Sequence, residues 1–265
     1  MRALLLALAA AACLGEVADF PRWIERCHTF YVDAGSNRGV QVQKLFRPHN
    51  YPGARVLPFM DTAFGDAASR RRPSSVTGTC AVGFEPNERH HKWLSCLERD
   101  LMRDGMWAHF FRAGVWTENG KLVFQGNHGR DAVGFHAMAN QSTQPAPHSQ
   151  PGRVLSFVDV LARLPGKVAL MKMDIEGAEW QVLPHMIRNG FLCADKVGHV
   201  LLETHFRQEC KILGCGVRDL VRRLQQEAAS RGCRPSRLQY LDDETYADER
   251  NQTVDVARLA CNSVP

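Results

Sequence analysis

Two short stretches hold the residues best placed to do chemistry. The first is Tyr31-Val32-Asp33-Ala34-Gly35-Ser36-Asn37-Arg38-Gly39, and the second is Met171-Lys172-Met173-Asp174-Ile175-Glu176-Gly177-Ala178-Glu179-Trp180. Each is an apolar strand that runs into acids and glycine at its carboxyl end, which is where an open parallel sheet binds ligands. Gly35 and Gly39 sit four apart at a strand-to-helix turn, and glycines there permit unusual backbone angles and close approach of a ligand. A pyrophosphate would use such a turn. Asp33 ahead of the first glycine would repel a phosphate, however, and attract the ammonium group of an amino-acid moiety. On these electrostatics S-adenosylmethionine (SAM) fits better than NAD.

The elements that must position these residues alternate. Thr29 to Asp33 reads as a strand, and Val40 to Phe46 as a helix, because apolar residues recur there at helical spacing. Cys80-Ala81-Val82-Gly83-Phe84-Glu85 is a second strand ending in an acid, where a carboxylate can accept hydrogen bonds from a ribose diol. The usual gap between a glycine loop and that acid is about twenty residues. Here it is about fifty, so an inserted loop at about 48–79 has to bulge out. That segment holds prolines, glycines and Arg70-Arg71-Arg72 without a sustained period, and reads as an insertion or a mobile lid.

A helix is expected over Glu88–Arg103, a third strand over Ala108–Val115, and a hairpin at Asn119-Gly120 between apolar flanks. Asn127 to Gly152 is polar loop. Val154 to Leu164 has helical spacing, Lys167–Asp174 is a fourth strand, Glu179–Ile187 a helix, Gly198–Glu203 a fifth strand, and Val217–Arg231 an amphipathic helix. Short strands fit around Leu238–Tyr240 and Val254–Leu259. Strands alternating with helices imply βαβ units and an α/β domain with a mostly parallel sheet.

With 265 residues the chain can form one large α/β domain and bury about three quarters of its unfolded surface. A 45% hydrophobic and 23% charged composition suggests neither disorder nor a membrane bundle. The net charge of +5 is mild and its positive residues are scattered, so no nucleic-acid partner is expected. Met1-Arg2 followed by an Ala/Leu run has the form of a signal peptide over residues 1–18, or of a short anchor if uncleaved. Residues 19–265 are then the domain, with no membrane span unless that anchor persists.

Eight cysteines remain after position 18 (Cys27, Cys80, Cys96, Cys193, Cys210, Cys215, Cys233, Cys261), and an even number in an exported chain favours disulfides. Cys210 and Cys215 with His205 lack the second close pair that a tetrahedral zinc site needs. Asn140-Gln141-Ser142 and Asn251-Gln252-Thr253 have the form of glycosylation acceptors. Together these features point to the secretory pathway, in the lumen or outside the cell.

With Gly83-Phe84-Glu85-Pro86-Asn87, Asp174-Ile175-Glu176-Gly177-Ala178-Glu179 and Leu201-Leu202-Glu203-Thr204-His205, the chain resembles the FkbM-type SAM-dependent methyltransferases from about Thr29 to Phe206. The resemblance implies a Rossmann-like, doubly wound sheet of seven strands. It also implies SAM as donor and O-methylation of a carbohydrate, glycoconjugate or other small hydroxylated acceptor. On the matching positions, Asp33, Gly35, Asn37 and Gly39 would hold the methionine end, Glu85 the ribose, and Asn87 the adenosine. Gly114 falls where adenine is commonly contacted. Asp174 and Glu176 would face the methyl group, with Glu203 and His205 on the neighbouring strand end.

Methyl transfer is an in-line displacement, so positioning dominates, and a sugar hydroxyl also needs a base such as His205 or Asp174. Asp174 and Glu176 could instead hold a divalent metal, but the expected site contains no metal ligand. His205 could be purely structural, Glu179 a first-turn acid suited to the helix dipole, and Trp180 core. Arg71 and its arginine neighbours, like His90-His91, read as solvated. Two rival classes stand beside this reading. One is a secreted, non-catalytic binding module on the same scaffold, and the other is a nucleotide-sugar or NAD-dependent enzyme.

Overall fold

The computed structural model describes residues 20–125, 136–137, 149–203, 205 and 217–243. In chain order these form β1 (Thr29–Ala34), α1 (Val40–Phe46), α2 (Leu57–Phe64), α3 (Ala67–Arg70), α4 (Ser74–Thr77), β2 (Thr79–Phe84) and α5 (Glu88–Arg103). Then come β3 (Trp107–Phe111), β4 (Gly114–Trp116), β5 (Gly120–Gln125), β6 (His136–Ala137), β7 (Ser149–Ser156) and α6 (Phe157–Ala162). The last elements are β8 (Lys167–Met173), α7 (Glu179–Arg188), β9 (Val197–Leu202), α8 (Val217–Ser230) and β10 (Arg237–Tyr240).

The main sheet has the order β10-β9-β8-β1-β2-β3, and every pairing in it is parallel. The chain runs outward from β1 through β2 to β3 and then restarts on the other side at β8. The strand order therefore reverses between β1 and β8, and such a switch point opens a crevice at the carboxyl ends. Six strands are present among the described residues where seven were expected. Val254–Leu259, weighed as a further strand, lies outside them.

Strand alternation distributes side chains to two cores. Phe30, Val32 and Ala34 of β1 join one cluster with Met171, Met173, Val182 and Ile187. Tyr31 joins the other with Leu45, Met60, Leu97, Leu170 and Leu201. Helices thus cover both faces. The open edge at β3 is covered too: Phe20 meets Phe111 edge-on at 5.2 Å, and Arg26 lies 4.5 Å over the Trp107 ring.

Residues 48–79 form packed short helices rather than an irregular loop. Tyr51, Ala54, Val56 and Met60 are buried there, and Arg70, read as solvated, is only 2% exposed. Its guanidinium donates to the carbonyls of Leu45 and Gly65 and pairs with Asp61 at 2.5 Å. Helices of four to eight residues are too short to establish a readable period. The same region clamps the segment after β10. Lys44 Nζ lies 3.2 Å from Asp243 Oδ2, and the Val56 N–H donates to that carboxylate at 3.0 Å.

Three further expectations fail locally. The third strand, expected over Ala108–Val115, is divided between β3 and β4, which belong to different sheets. The Asn119-Gly120 pair does not close a hairpin, because β4 and β5 both pair with β7, which lies between them. Residues 154–156 continue β7 rather than opening a helix, and α6 starts only where the Ser156 side chain caps it.

Cys27–Cys80 and Cys193–Cys233 are disulfides, spanning 53 and 40 residues, and Cys96 is disulfide-bonded as well. Both sequons and residues 1–18 lie outside the described residues. No helix among the described residues is long and apolar enough to cross a membrane. Loops of the Cys27–Cys80 length restrict the unfolded chain strongly, so Cys27→Ala/Cys80→Ala should lose about 2–4 kcal/mol of stability in non-reducing denaturant titration. Equal midpoints for variant and parent would show that the link adds nothing.

Candidate active site

The two motifs meet in the crevice. The Asp174 N–H donates to the Ala34 carbonyl at 2.9 Å, the Glu203 N–H to Met173 at 2.9 Å, and the N–H groups of Gly35 and Ser36 to Phe84. The ends of β2, β1, β8 and β9 are thereby joined in one row. Gly35 has φ +89°, and a Cβ there would stand 1.8 Å from the Asp174 carbonyl oxygen. Only glycine allows this approach. Gly39, at φ +71°, similarly lets α1 begin against Leu97 of α5.

Ser36 was not singled out by sequence, yet its hydroxyl organises the turn. It donates to the Asp33 carbonyl at 2.9 Å and accepts from the Phe84 N–H at 3.0 Å. Gly83 leaves the space, since a Cβ there would lie 2.4 Å from Ser36 Oγ.

Glu85 is buried at the end of β2. Its Oε2 accepts from the Asn37 N–H at 2.6 Å and its Oε1 from the Asn87 N–H at 2.8 Å, and Asn37 itself adopts φ +48°. The carboxylate therefore fixes the glycine loop while each oxygen keeps acceptor capacity. Burial pushes its pKa up to about 8 despite those donors. Asn87 caps α5 by accepting from the Arg89 N–H at 3.1 Å. His90 is buried and His91 Nε2 lies 2.9 Å from the Glu85 carbonyl oxygen, so this pair is not the exposed one expected. Gly114 starts β4 against Phe124 and against Pro86, the residue after Glu85, but is turned to the smaller sheet.

Asp33 is wholly buried, and neither carboxylate oxygen has a hydrogen-bond partner among the described residues. Burial raises its pKa to about 7, opposed chiefly by the Lys172 ammonium. A buried unpaired carboxylate is costly. A cationic ligand would relieve that cost, and this is the observation by which the site fits the charged end of SAM.

On the other side of the crevice, acids surround two cations. Lys172 is 2% exposed, with Nζ 2.9 Å from Glu203 Oε2 and 3.4 Å from Asp174 Oδ2. Burial alone would lower its pKa, but Asp174, Glu203 and Asp33 together hold it above the usual value. Sequence reading passed over this lysine. The available signal was a charged residue at the inward-alternating position between Leu170 and Asp174 on a central strand.

Glu176 sits at φ +54°, and Glu179, almost fully buried, supports that turn by accepting from the N–H groups of Ile175 and Gly177, both at 2.8 Å. His205 Nε2 is 3.2 Å from Glu176 Oε2 and 3.9 Å from Asp174 Oδ1, and its Nδ1 is 3.5 Å from Glu179 Oε1. Trp180 Nε1 donates to the His205 carbonyl at 2.8 Å, a tie beyond the core role expected. The Glu179 hydrogen bond first, and the charges of Glu176, Glu179 and Asp174 with it, raise the His205 pKa to about 9. At neutral pH it is an imidazolium. Asp174, Glu203 and His205 converge, but the Lys172 ammonium is the cation among them, and no metal ligand is assigned.

A glycine turn and acids at the strand ends of a doubly wound parallel sheet define a Rossmann-like architecture with a ligand crevice at its switch point. The Methyltransferase FkbM domain matches residues 33–226, and the chain belongs to that family. No curated protein matches it. Among solved structures it is similar to methyltransferase FkbM from Methylobacillus flagellatus KT, at 13% identity and a TM-score of 0.43. The match covers 76% of this chain and 37% of that one, so the chain spans little more than a third of that protein's length.

Two outcomes are expected. Ser36→Ala should lose about 1–3 kcal/mol in chemical denaturation, since it strips the Phe84 N–H of a buried acceptor; a smaller loss would mean the hydroxyl is dispensable. The second concerns pH. Groups with raised folded pKa values give stability that is fully present below the unfolded value and lost as pH rises through the folded one. Asp33 (3.8 to about 7), Glu85 (4.5 to about 8) and His205 (6.5 to about 9) all act in this direction. The ligand-free melting temperature should therefore fall between pH 6 and pH 9, with Asp33→Asn flattening the lower part of the curve and His205→Gln the upper. Slopes unchanged by both variants would refute these assignments.

Proposed function

We propose that the protein is a SAM-dependent methyltransferase that O-methylates a carbohydrate, glycoconjugate or other small hydroxylated acceptor in the secretory pathway. The observation that carries this reading is the Asp33 carboxylate, buried and unpartnered among the described residues at the switch point of the sheet. SAM, when bound, supplies a methyl group activated on a sulfonium centre. Asp33 would face the donor's ammonium, while Gly35, Asn37 and Gly39 let the backbone come close. Glu85 would accept from the ribose hydroxyls through its remaining lone pairs, with Asn87 and Gly114 toward the adenosine.

At the acceptor side Asp174 takes the hydroxyl proton. Of the two bases weighed from sequence, His205 already carries a proton at neutral pH, which leaves Asp174. His205 instead donates, holding Glu176 and orienting the acceptor oxygen. The disulfides suit an oxidising compartment.

Calorimetric titration separates this reading from its rivals, using SAM, S-adenosylhomocysteine, NAD and a nucleotide sugar in parallel. SAM and its demethylated product should bind and the other two should not. Asp33→Asn and Glu85→Gln should each weaken binding by about tenfold or more, the scale of one lost charge-assisted contact. Asp174→Asn should bind normally and lose methyl transfer from labelled SAM to a glycan panel. Binding of NAD instead of SAM, or full turnover by Asp174→Asn, would overturn the respective claim.

A further inference from the structure

We propose that Lys172 is a positioning residue of the donor site, a buried ammonium that holds Asp174 and Glu203 in one fixed arrangement beside Asp33 and so sets the charge a cationic donor meets. The inference rests on the donor reading above. Lys172 lies on β8, flanked by β1 and β9, and its strand register places it directly opposite Asp33. Leucine or methionine would pack there with no desolvation penalty, whereas a buried lysine needs partners. Its partners are the acids at three strand ends.

The charged and titratable groups facing this spot are Asp33 and Tyr31 from β1, Lys44 from α1, Glu85 after β2, Asp174 at the end of β8, Glu203 after β9, His205 beyond it and Tyr240 from β10. Lys44 is already committed to Asp243. Without Lys172, Asp33, Asp174 and Glu203 would lose the counter-charge they share, the other cations described nearby being engaged chiefly elsewhere, Lys44 with Asp243 and the His205 imidazolium with Glu176 and Glu179, and like charges at close range make one of the three take up a proton. Asp33, the most buried of the three and the one without a hydrogen-bond partner among the described residues, is where that proton would go. A protonated Asp33 no longer attracts an ammonium group. Lys172 therefore acts on the donor through Asp33, without touching it.

The test is titration of S-adenosylhomocysteine, which keeps the amino-acid ammonium, into wild type and Lys172→Met from pH 6 to pH 9. The variant should bind about fivefold more weakly at pH 7 and about tenfold more weakly at pH 6, as follows when Asp33 holds its proton up to a pH about one unit higher, and recover toward wild type near pH 9. Lys172→Arg, which retains the charge, should follow the wild-type profile. In an Asp33→Asn background Lys172→Met should change affinity by less than about twofold, because the two act through one interaction.

A loss of affinity that is the same at every pH, or full additivity with Asp33→Asn, would overturn the proposal and leave a packing role. If Lys172→Met fails to fold, Lys172→Gln, which can still donate to both carboxylates without a charge, replaces it in the same measurements. Absence of binding by wild type would defeat the donor reading itself. The Lys172 claim would then be decided by the carbon-13 titration of the Asp33 carboxyl: a midpoint about one pH unit higher in the variant supports it, and an unchanged midpoint rejects it.

Discussion

The site depends on one backbone approach. At Gly35 the turn after β1 passes so close to the Asp174 carbonyl that any side chain would overlap it. That approach brings the two acidic motifs, well over a hundred residues apart, to opposite walls of one crevice. The Ser36 hydroxyl, inserted over Gly83, and the Glu85 carboxylate, gripping the N–H groups of Asn37 and Asn87, then lock the turn to β2. The glycine turn is held rigidly because groups from three strands over-determine it.

Electrostatics give this rigid crevice two ends of different character. Toward β2, burial outweighs the neighbouring charges and lifts the pKa values of Asp33 and Glu85 into the neutral range, so that loss of the Asp33 proton, and with it any attraction for a positive charge, falls close to neutral pH. Toward β9 Asp174 and Glu203 are paired with Lys172, and the His205 imidazolium lies beside Asp174. Glu179 contributes indirectly. Its carboxylate supports the left-handed turn at Glu176 and simultaneously raises the basicity of His205.

The alternating elements were legible because strands such as Thr29–Ala34 and Lys167–Met173 have neighbours on both sides and read as mainly apolar runs, broken by charge only at Asp33 in the first and at Lys167 and Lys172 in the second. Helices α1, α5 and α7 fell within a residue or so of their expected bounds, α5 and α7 because they have enough turns to show a period and α1 because it follows directly on the glycine turn after β1. The short helices of 57–77 did not, and the pairing of β4 and β5 with β7 was invisible because Asn-Gly reports a local turn, not which strand fills the space beside it. Arg70 and His90 read as solvated, since burial of a polar side chain depends on partners brought in from elsewhere, here Asp61 and the backbone carbonyls of Leu45 and Gly65 for the arginine.

By itself the sequence determined the acids and glycines at the strand ends, and with them the expectation of a ligand site at the switch point. These follow from residue type and from local alternation, which are properties of neighbouring positions in the chain. Tertiary structure alone decided what those acids experience: that Asp33 is dry and its carboxylate without a hydrogen-bond donor among the described residues, that Lys172 lies directly across from it, and that His205 is an imidazolium rather than a free base. Charge state is set by burial and by groups distant in sequence, and only the folded chain brings those groups together.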